Sequence, residues 1–243
     1  MRNDIIIKNC QIVNEGNIQE SDVLIREGRI EKIESSIVSK GKVIDASGLH
    51  LFPGVIDDQV HFREPGLTDR GNIKSESLAA IAGGTTSFMD MPNVLPPTLT
   101  NNLWRQKIEI ASNNASANYS FYMGSSNENI EEIRSINALE VCGVKVFMGA
   151  STGNLLVDNE ESLNLIFRDS PVPIATHCED TPMIKEAEEK YITEFGEEIP
   201  MEAHAEIRSR EACLKSSQKA VDLANKHNQN LHILHISTED ELA

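Results

Sequence analysis

From Leu51 onward the chain repeats one rhythm: a short apolar run, a polar loop, then a helical stretch. The strand candidates are Leu51 to Ile56, Thr85 to Met91, Asn118 to Met123, Val141 to Met148, Val172 to Thr176 and Leu231 to Ile236. Helical patterns fall between them near Ser75 to Ala82, Asn102 to Ala111, Glu160 to Phe167 and Glu206 to Lys226. Alternating β and α segments imply a parallel sheet with helical crossovers. A (β/α)8 barrel and an open doubly wound sheet both satisfy that pattern. The polar motifs separate them, because every one sits at the carboxy-terminal end of a strand, where barrel enzymes keep their active sites. No Gly-x-Gly-x-x-Gly opens the first helix, so the dinucleotide-binding alternative loses its main support.

Residues 1–50 read differently. Ile5-Ile-Ile7, Gln11-Ile-Val13, Asp22-Val-Leu-Ile25, Arg29-Ile-Glu-Lys-Ile33 and Lys42-Val-Ile44 are short β-rich runs, with Glu27-Gly28 and Ser47-Gly48 as turn signals. The expectation is a small antiparallel β unit over 1–50 and a barrel domain over 51–243. Six strands in about 190 residues fall short of a barrel that takes about 250. Glu239-Asp-Glu-Leu-Ala243 reads as the start of a helix, so the chain is expected to be an incomplete barrel.

Composition limits the partners. Thirty-eight acidic against 22 basic residues give a net charge of −16, which repels nucleic acid and anionic membranes. An anionic substrate then needs a local cation to hold it. The four cysteines, Cys10, Cys142, Cys178 and Cys213, are scattered without a Cys-x-x-Cys pair, which fits a reducing cytoplasm. Neither a signal peptide nor a run long enough to span a bilayer is present in the sequence, and the expected location is cytoplasmic.

The chemistry concentrates in the stretch from Pro53 to Gly66, where Asp57, Gln59, His61 and Arg63 alternate with Asp58, Val60 and Phe62. Period-two alternation sends the first set to one face of an extended segment. Lys145 lies in the apolar run Val144-Lys-Val-Phe-Met148, where desolvation favours the neutral amine, and a neutral amine adds carbon dioxide to become an anionic carbamate. An edge lysine that snorkels to solvent is the bland alternative. His177 and His235 stand at the ends of successive strand candidates, and imidazole is a preferred zinc ligand, although each alone is equally a core histidine. Asn93 ends Met91-Pro-Asn93 and reads on its own as a turn residue. His232, His50, His227 and His204 receive no chemical role, His204 being at most a loop anchor.

The spacing around His61 resembles the Asp-x-His-x-His signature of the amidohydrolase superfamily. Together with Phe62-Arg-Glu-Pro-Gly66, Met91-Pro-Asn93, Gly143-Val-Lys-Val-Phe147, Thr176-His-Cys-Glu179 and His232-Ile-Leu-His-Ile-Ser-Thr238, it resembles the lysine-type dihydroorotases. The departure is Gln59, which stands where the family has its first metal-binding histidine.

The resemblance implies a truncated (β/α)8 barrel beside an amino-terminal portion of a β-sandwich. It implies one or two zinc ions held by His61, carboxylated Lys145, His177 and His235, and a substrate carboxylate held by Arg63 and Asn93. Separately, the loop Gly149 to Asn154 is small and polar, as a loop able to lie over the site would be. The general acid/base aspartate is expected beyond Ala243, so the chain as it stands is expected to be inactive. The implied reaction is reversible hydrolysis of (S)-dihydroorotate to N-carbamoyl-L-aspartate, a step of pyrimidine biosynthesis. The small anionic substrate is the expected partner, with a homodimer as the one assembly considered. Competing readings are another cyclic amidohydrolase, such as an allantoinase or dihydropyrimidinase, and an inactive homologue kept as a structural partner, for which Gln59 is the main support.

Overall fold

Two hairpins open the chain, and their turns explain the register. Strands β1 (Ile5–Asn14), β2 (Asn17–Arg26) and β3 (Arg29–Glu34) pair antiparallel in sequence order. Glu15-Gly16 and Glu27-Gly28 join them with φ of 48°, 75°, 51° and 76°. Two successive left-handed residues give the tight turn whose twist matches that of paired strands, and glycine takes the second position without steric cost.

The computed structural model describes residues 4–149 and 153–242, in two compact units, Met1–Val55 and Ile56–Ala243. In the first unit, the expectation of an antiparallel assembly needs correction. Strands β4 (Lys42–Asp45) and β5 (His50–Leu51) both join β1 in parallel, so the sheet is mixed, with order β3-β2-β1-β4. The segment between β3 and β4 has to pass to the far side of β1, and Asp22 holds it there. Its Oδ2 accepts the Ile37 N–H at 2.9 Å, while Oδ1 accepts the Asn9 N–H at 2.9 Å. Asn9 has φ 58° and marks a register shift between Ile7 and Cys10. The runs Ile5 to Ile7 and Gln11 to Val13 are therefore one bulged strand.

The second unit is α/β with parallel sheets. Strands β6 (Val55–Val60), β7 (Thr85–Asp90) and β8 (Asn118–Phe121) form one sheet in that order. Strands β9 (Met123–Gly124), β10 (Val144–Phe147), β11 (Ile174–His177) and β12 (Leu231–Ile233) form another, and their pairings are parallel. Tyr122 alone separates β8 from β9. Its N–H bonds Asp90 O at 3.1 Å, whereas Met123 N–H bonds Gly143 O at 3.0 Å, so the chain passes from one sheet to the other at that residue.

Among the described residues seven α-helices connect the strands: α1 (Ile73–Ala82), α2 (Asn101–Asn114), α3 (Ile130–Arg134), α4 (Glu160–Asp169), α5 (Thr181–Phe195), α6 (His204–Ile207) and α7 (Arg210–His227). Short polar residues start five of them by accepting the otherwise unpaired first-turn amides: Asn72, Thr100, Asn159, Asp180 and Ser209. The cap at Ser209 is why the expected helix from Glu206 to Lys226 is interrupted: α7 begins afresh after Arg208, whose ψ of 70° leaves the helical region. Between helices and strands lies the main core, which includes Phe62, Phe88, Phe121, Val144, Val146, Ile166 and Phe167. Among the described residues, no helix is long and apolar enough to cross a membrane.

Candidate active site

Two groups of side chains stand at the carboxy-terminal ends of the strands. The first gathers at β6 and β7. Met91 N–H bonds Val60 O at 3.0 Å, and Phe62 N–H bonds Asp90 Oδ1 at 3.0 Å. Phe62 turns into the core, its ring 4.5 Å from that of Phe88, which leaves its neighbour His61 on the opposite, open side. His61 Nδ1 lies 2.9 Å from Asn93 Oδ1. An amide oxygen only accepts, so Nδ1 carries the proton and Nε2 keeps its lone pair. Burial first, and then the Arg63 charge, holds the His61 pKa below its ordinary value, which favours the neutral ring.

Arg63 leaves the extended region, with φ 67°, so strand alternation ends at His61. The turn that follows is docked on the loop after β7. Leu67 N–H bonds Arg63 O at 3.0 Å and Leu95 N–H bonds Pro65 O at 3.0 Å. Gly66 has φ 84°, and a Cβ there would stand 2.0 Å from Leu95 O, so only glycine lets the two loops meet. Among the described residues the Arg63 guanidinium has no ion pair or hydrogen bond, and its charge is felt at His61. His61 thus meets Asn93 directly and feels the charge of Arg63, on a turn bonded to the loop that carries Asn93.

The second group gathers at β10, β11 and β12. Lys145 is 1% exposed between fully buried Val144 and Val146, with Nζ 4.6 Å from the Phe147 ring centroid and no carboxylate partner among the described residues. Burial lowers its pKa to about 7. Its charge depresses both His61 and His235, which places it within electrostatic reach of both groups.

His177 Nδ1 lies 3.0 Å from His235 Nε2, and His177 Nε2 lies 2.8 Å from Glu179 Oε2. Arg208 Nη1 in turn donates to the same Glu179 oxygen at 2.6 Å. Gly149 passes so close behind that a Cβ would fall 2.1 Å from Glu179 O. His235 has φ 41°, and Ser237 Oγ donates to its carbonyl at 2.8 Å. Burial first, and then His177, lowers the His235 pKa. A cavity of about 110 Å3 opens on His177, Glu179 and His235, with Cys213 and Glu241 on its wall.

These donors can be tested against a zinc ion. Among the described residues no three His, Cys, Asp or Glu side chains cluster as a metal site. Two imidazole nitrogens converge, however, and Glu179 fixes the His177 proton on Nε2, which leaves Nδ1 as a ligand atom. Zinc takes at least three protein donors, and the third expected from the resemblance is Lys145, as its carbamate. A buried amine with a pKa near neutrality and no ionic partner suits that modification. The second group therefore fits a zinc ion if Lys145 is carboxylated. At the first group, Gln59 contributes at best a neutral amide oxygen beside His61.

The remaining histidines lie elsewhere. His232 Nε2 is 3.4 Å from Asp58 Oδ2, His227 Nε2 is 3.2 Å from Asn164 Oδ1, and His204 begins α6. Of the loop Gly149 to Asn154, residues 150–152 lie outside the described residues. Glu179 and Arg208 are the additions that the sequence reading did not single out. The His-x-Glu spacing from His177 pointed to the first, while Arg208 is brought in only by folding.

No protein-family model matches the chain. A dihydroorotase of Methanosarcina mazei is 32% identical over 241 residues, covering 97% of this chain and 52% of that protein. An allantoinase of Bacillus velezensis is 30% identical over 245 residues, covering 98% of this chain and 54% of that protein. The homologues are cyclic amide hydrolases. These amidohydrolases include a solved L-hydantoinase (dihydropyrimidinase) from Arthrobacter aurescens, which matches with a TM-score of 0.93 at 27% identity, over 100% of this chain and 55% of that one. The chain spans about half the length of the curated amidohydrolases it matches.

Proposed function

We propose that the protein containing this chain is a zinc-dependent dihydroorotase of pyrimidine biosynthesis, which hydrolyses (S)-dihydroorotate to N-carbamoyl-L-aspartate reversibly. The observation that carries the reading is Arg63, a guanidinium without a protein partner among the described residues, next to Asn93 and His61. In a chain of net charge −16 an unpaired arginine at an open strand end offers the local cation that a carboxylate requires. Asn93 Oδ1 is taken by His61, which leaves its amide N–H groups as the donors it can offer to the same carboxylate. Lys145, His177 and His235 hold the metal, and Glu179 with Arg208 keeps His177 in the tautomer that binds it. When bound, zinc supplies Lewis acidity toward the ring carbonyl and acidifies the attacking water.

A second reading, hydrolysis of a cyclic amide without a carboxylate, draws support from the TM-score of 0.93 to an L-hydantoinase. The zinc-loaded full-length protein, assayed on dihydroorotate, allantoin, hydantoin and dihydrouracil, separates the two. The highest kcat/KM is expected on dihydroorotate. Preference for any of the carboxylate-free rings assigns the second reading, and no turnover of any ring leaves a protein that has lost catalysis, as Gln59 would explain.

A further inference from the structure

Asp90 and Lys107 are both 0% exposed, with Asp90 Oδ2 and Lys107 Nζ 2.7 Å apart. Burying two charges is costly, and an apolar pair of similar volume commonly serves stability as well or better. What an apolar pair cannot do is satisfy the backbone groups that these side chains hold. Asp90 Oδ1 accepts the Phe62 N–H at 3.0 Å, and Phe62 is the residue between His61 and Arg63. Lys107 Nζ donates to Met91 O at 2.8 Å, two residues before Asn93. The lysine ammonium uses one of its N–H groups on Met91 O and meets the Asp90 Oδ2 charge at 2.7 Å with the others.

The anchor behind the pair is rigid. Lys107 belongs to α2, which is fixed to β8 by the Trp104 Nε1–H bond to Phe121 O at 2.9 Å, and Lys107 Nζ sits 4.9 Å from the Phe121 ring centroid. One ion pair thus ties two loops to one helix, each through a different backbone atom.

We propose that Asp90 and Lys107 are positioning residues, which set the spacing of Arg63 and Asn93 for the substrate carboxylate. The proposal rests on the reading of that pair as the carboxylate clamp. Releasing the Phe62 N–H frees the 61–63 turn, while the His177 and His235 side of the site has no bond to either residue. The consequence is a loss in substrate binding without a loss of metal.

The test uses the full-length protein and the double variant Asp90→Leu/Lys107→Met, which removes both charges together and leaves none uncompensated. The expected result is a normal cooperative melt, unchanged zinc content, kcat close to wild type, and KM for dihydroorotate raised on the order of tenfold. Asp90→Asn/Lys107→Met, which keeps an oxygen for the Phe62 N–H and leaves no buried charge unpaired, is expected to bring KM back close to wild type. Should the double variant fail to fold, Asp90→Val/Lys107→Leu takes its place, which likewise releases the Phe62 N–H and leaves no charge unpaired, with the same KM rise expected. Arg63→Ala is measured in parallel. A KM rise in Arg63→Ala with none in the folded pair variant overturns the positioning role and leaves the proposed function standing. No rise in Arg63→Ala removes the clamp itself, and the positioning role with it.

Discussion

His177 Nδ1 lies 3.0 Å from His235 Nε2, while the opposite nitrogen of the His177 ring is held 2.8 Å from the Glu179 carboxylate. His235 Nε2–H donates to His177 Nδ1 across this contact, and these two nitrogens would hold a zinc ion once the His235 proton sits on its own Nδ1 instead. Glu179 supports this by keeping the His177 proton on Nε2 and so the lone pair on Nδ1. Glu179→Gln retains a hydrogen-bonding group but not the charge. Zinc affinity, measured by competition with a chelator, is expected to fall by about 10–100-fold. An unchanged affinity would separate Glu179 from the metal.

Lys145 is expected to carry carbon dioxide in the zinc-loaded protein. Its amine sheds its proton near neutral pH, since burial lowers the pKa to about 7, and the neutral amine is the form that reacts. Protein prepared with 13C-labelled bicarbonate should show a carbamate carbon signal that is missing in Lys145→Met. A labelled signal of equal strength in that variant would remove Lys145 from the assignment.

Gln59 limits the metal count. The resemblance gives one metal the donors His177, His235 and carboxylated Lys145, whereas two residues before His61 it meets Gln59 in place of a histidine, and an amide oxygen is a weaker zinc ligand than imidazole. Metal analysis after dialysis of the full-length protein is expected to give one zinc per chain, and Gln59→His to raise it to two. Two tightly held ions in the wild type would contradict this account of Gln59.

How far the sequence carried can be followed residue by residue. The β/α rhythm is visible because apolar strands and capped helices are local, and the placement of His61, Asn93, His177 and His235 at or just past strand ends, with Lys145 inside β10, follows from it. The parallel docking of β4 and β5 on β1 is not visible, since short β-rich runs look alike whichever neighbour they choose, and the choice here hangs on Asp22 gripping Asn9 and Ile37. Helix α5 escaped notice because its sequence is dense in Glu and Lys, and Ile184 is its one buried residue among those described. Lys107 reads as a surface lysine on an amphipathic helix until folding places it against Asp90, and Arg208 reaches Glu179 across 29 residues of sequence.

Asp22 should make the amino-terminal unit sensitive to acid. The N–H groups of Asn9 and then Ile37, with Lys8 nearby, hold its carboxyl below the ordinary carboxylate range. The folded state therefore takes up this proton at lower pH than the unfolded chain does. The stabilisation is complete above about pH 4 and is lost as pH falls through the folded value. Asp22→Asn is expected to cost about 1–3 kcal/mol near neutrality. Its melting temperature should converge on that of the wild type as both are taken down in pH. A difference that stays constant across the acid range would contradict the assignment.

The most direct test of the proposed function is Arg63→Ala, assayed on dihydroorotate and on dihydrouracil, a ring without the carboxylate. Losing a hydrogen bond to a charged group costs about 1.5–3 kcal/mol, so kcat/KM on dihydroorotate is expected to fall at least tenfold, chiefly through KM. Whatever turnover dihydrouracil shows in the wild type should persist in the variant, with zinc content unchanged. An unchanged KM for dihydroorotate, or an equal loss on both rings, would contradict the account of Arg63 as the residue that selects a carboxylate-bearing substrate.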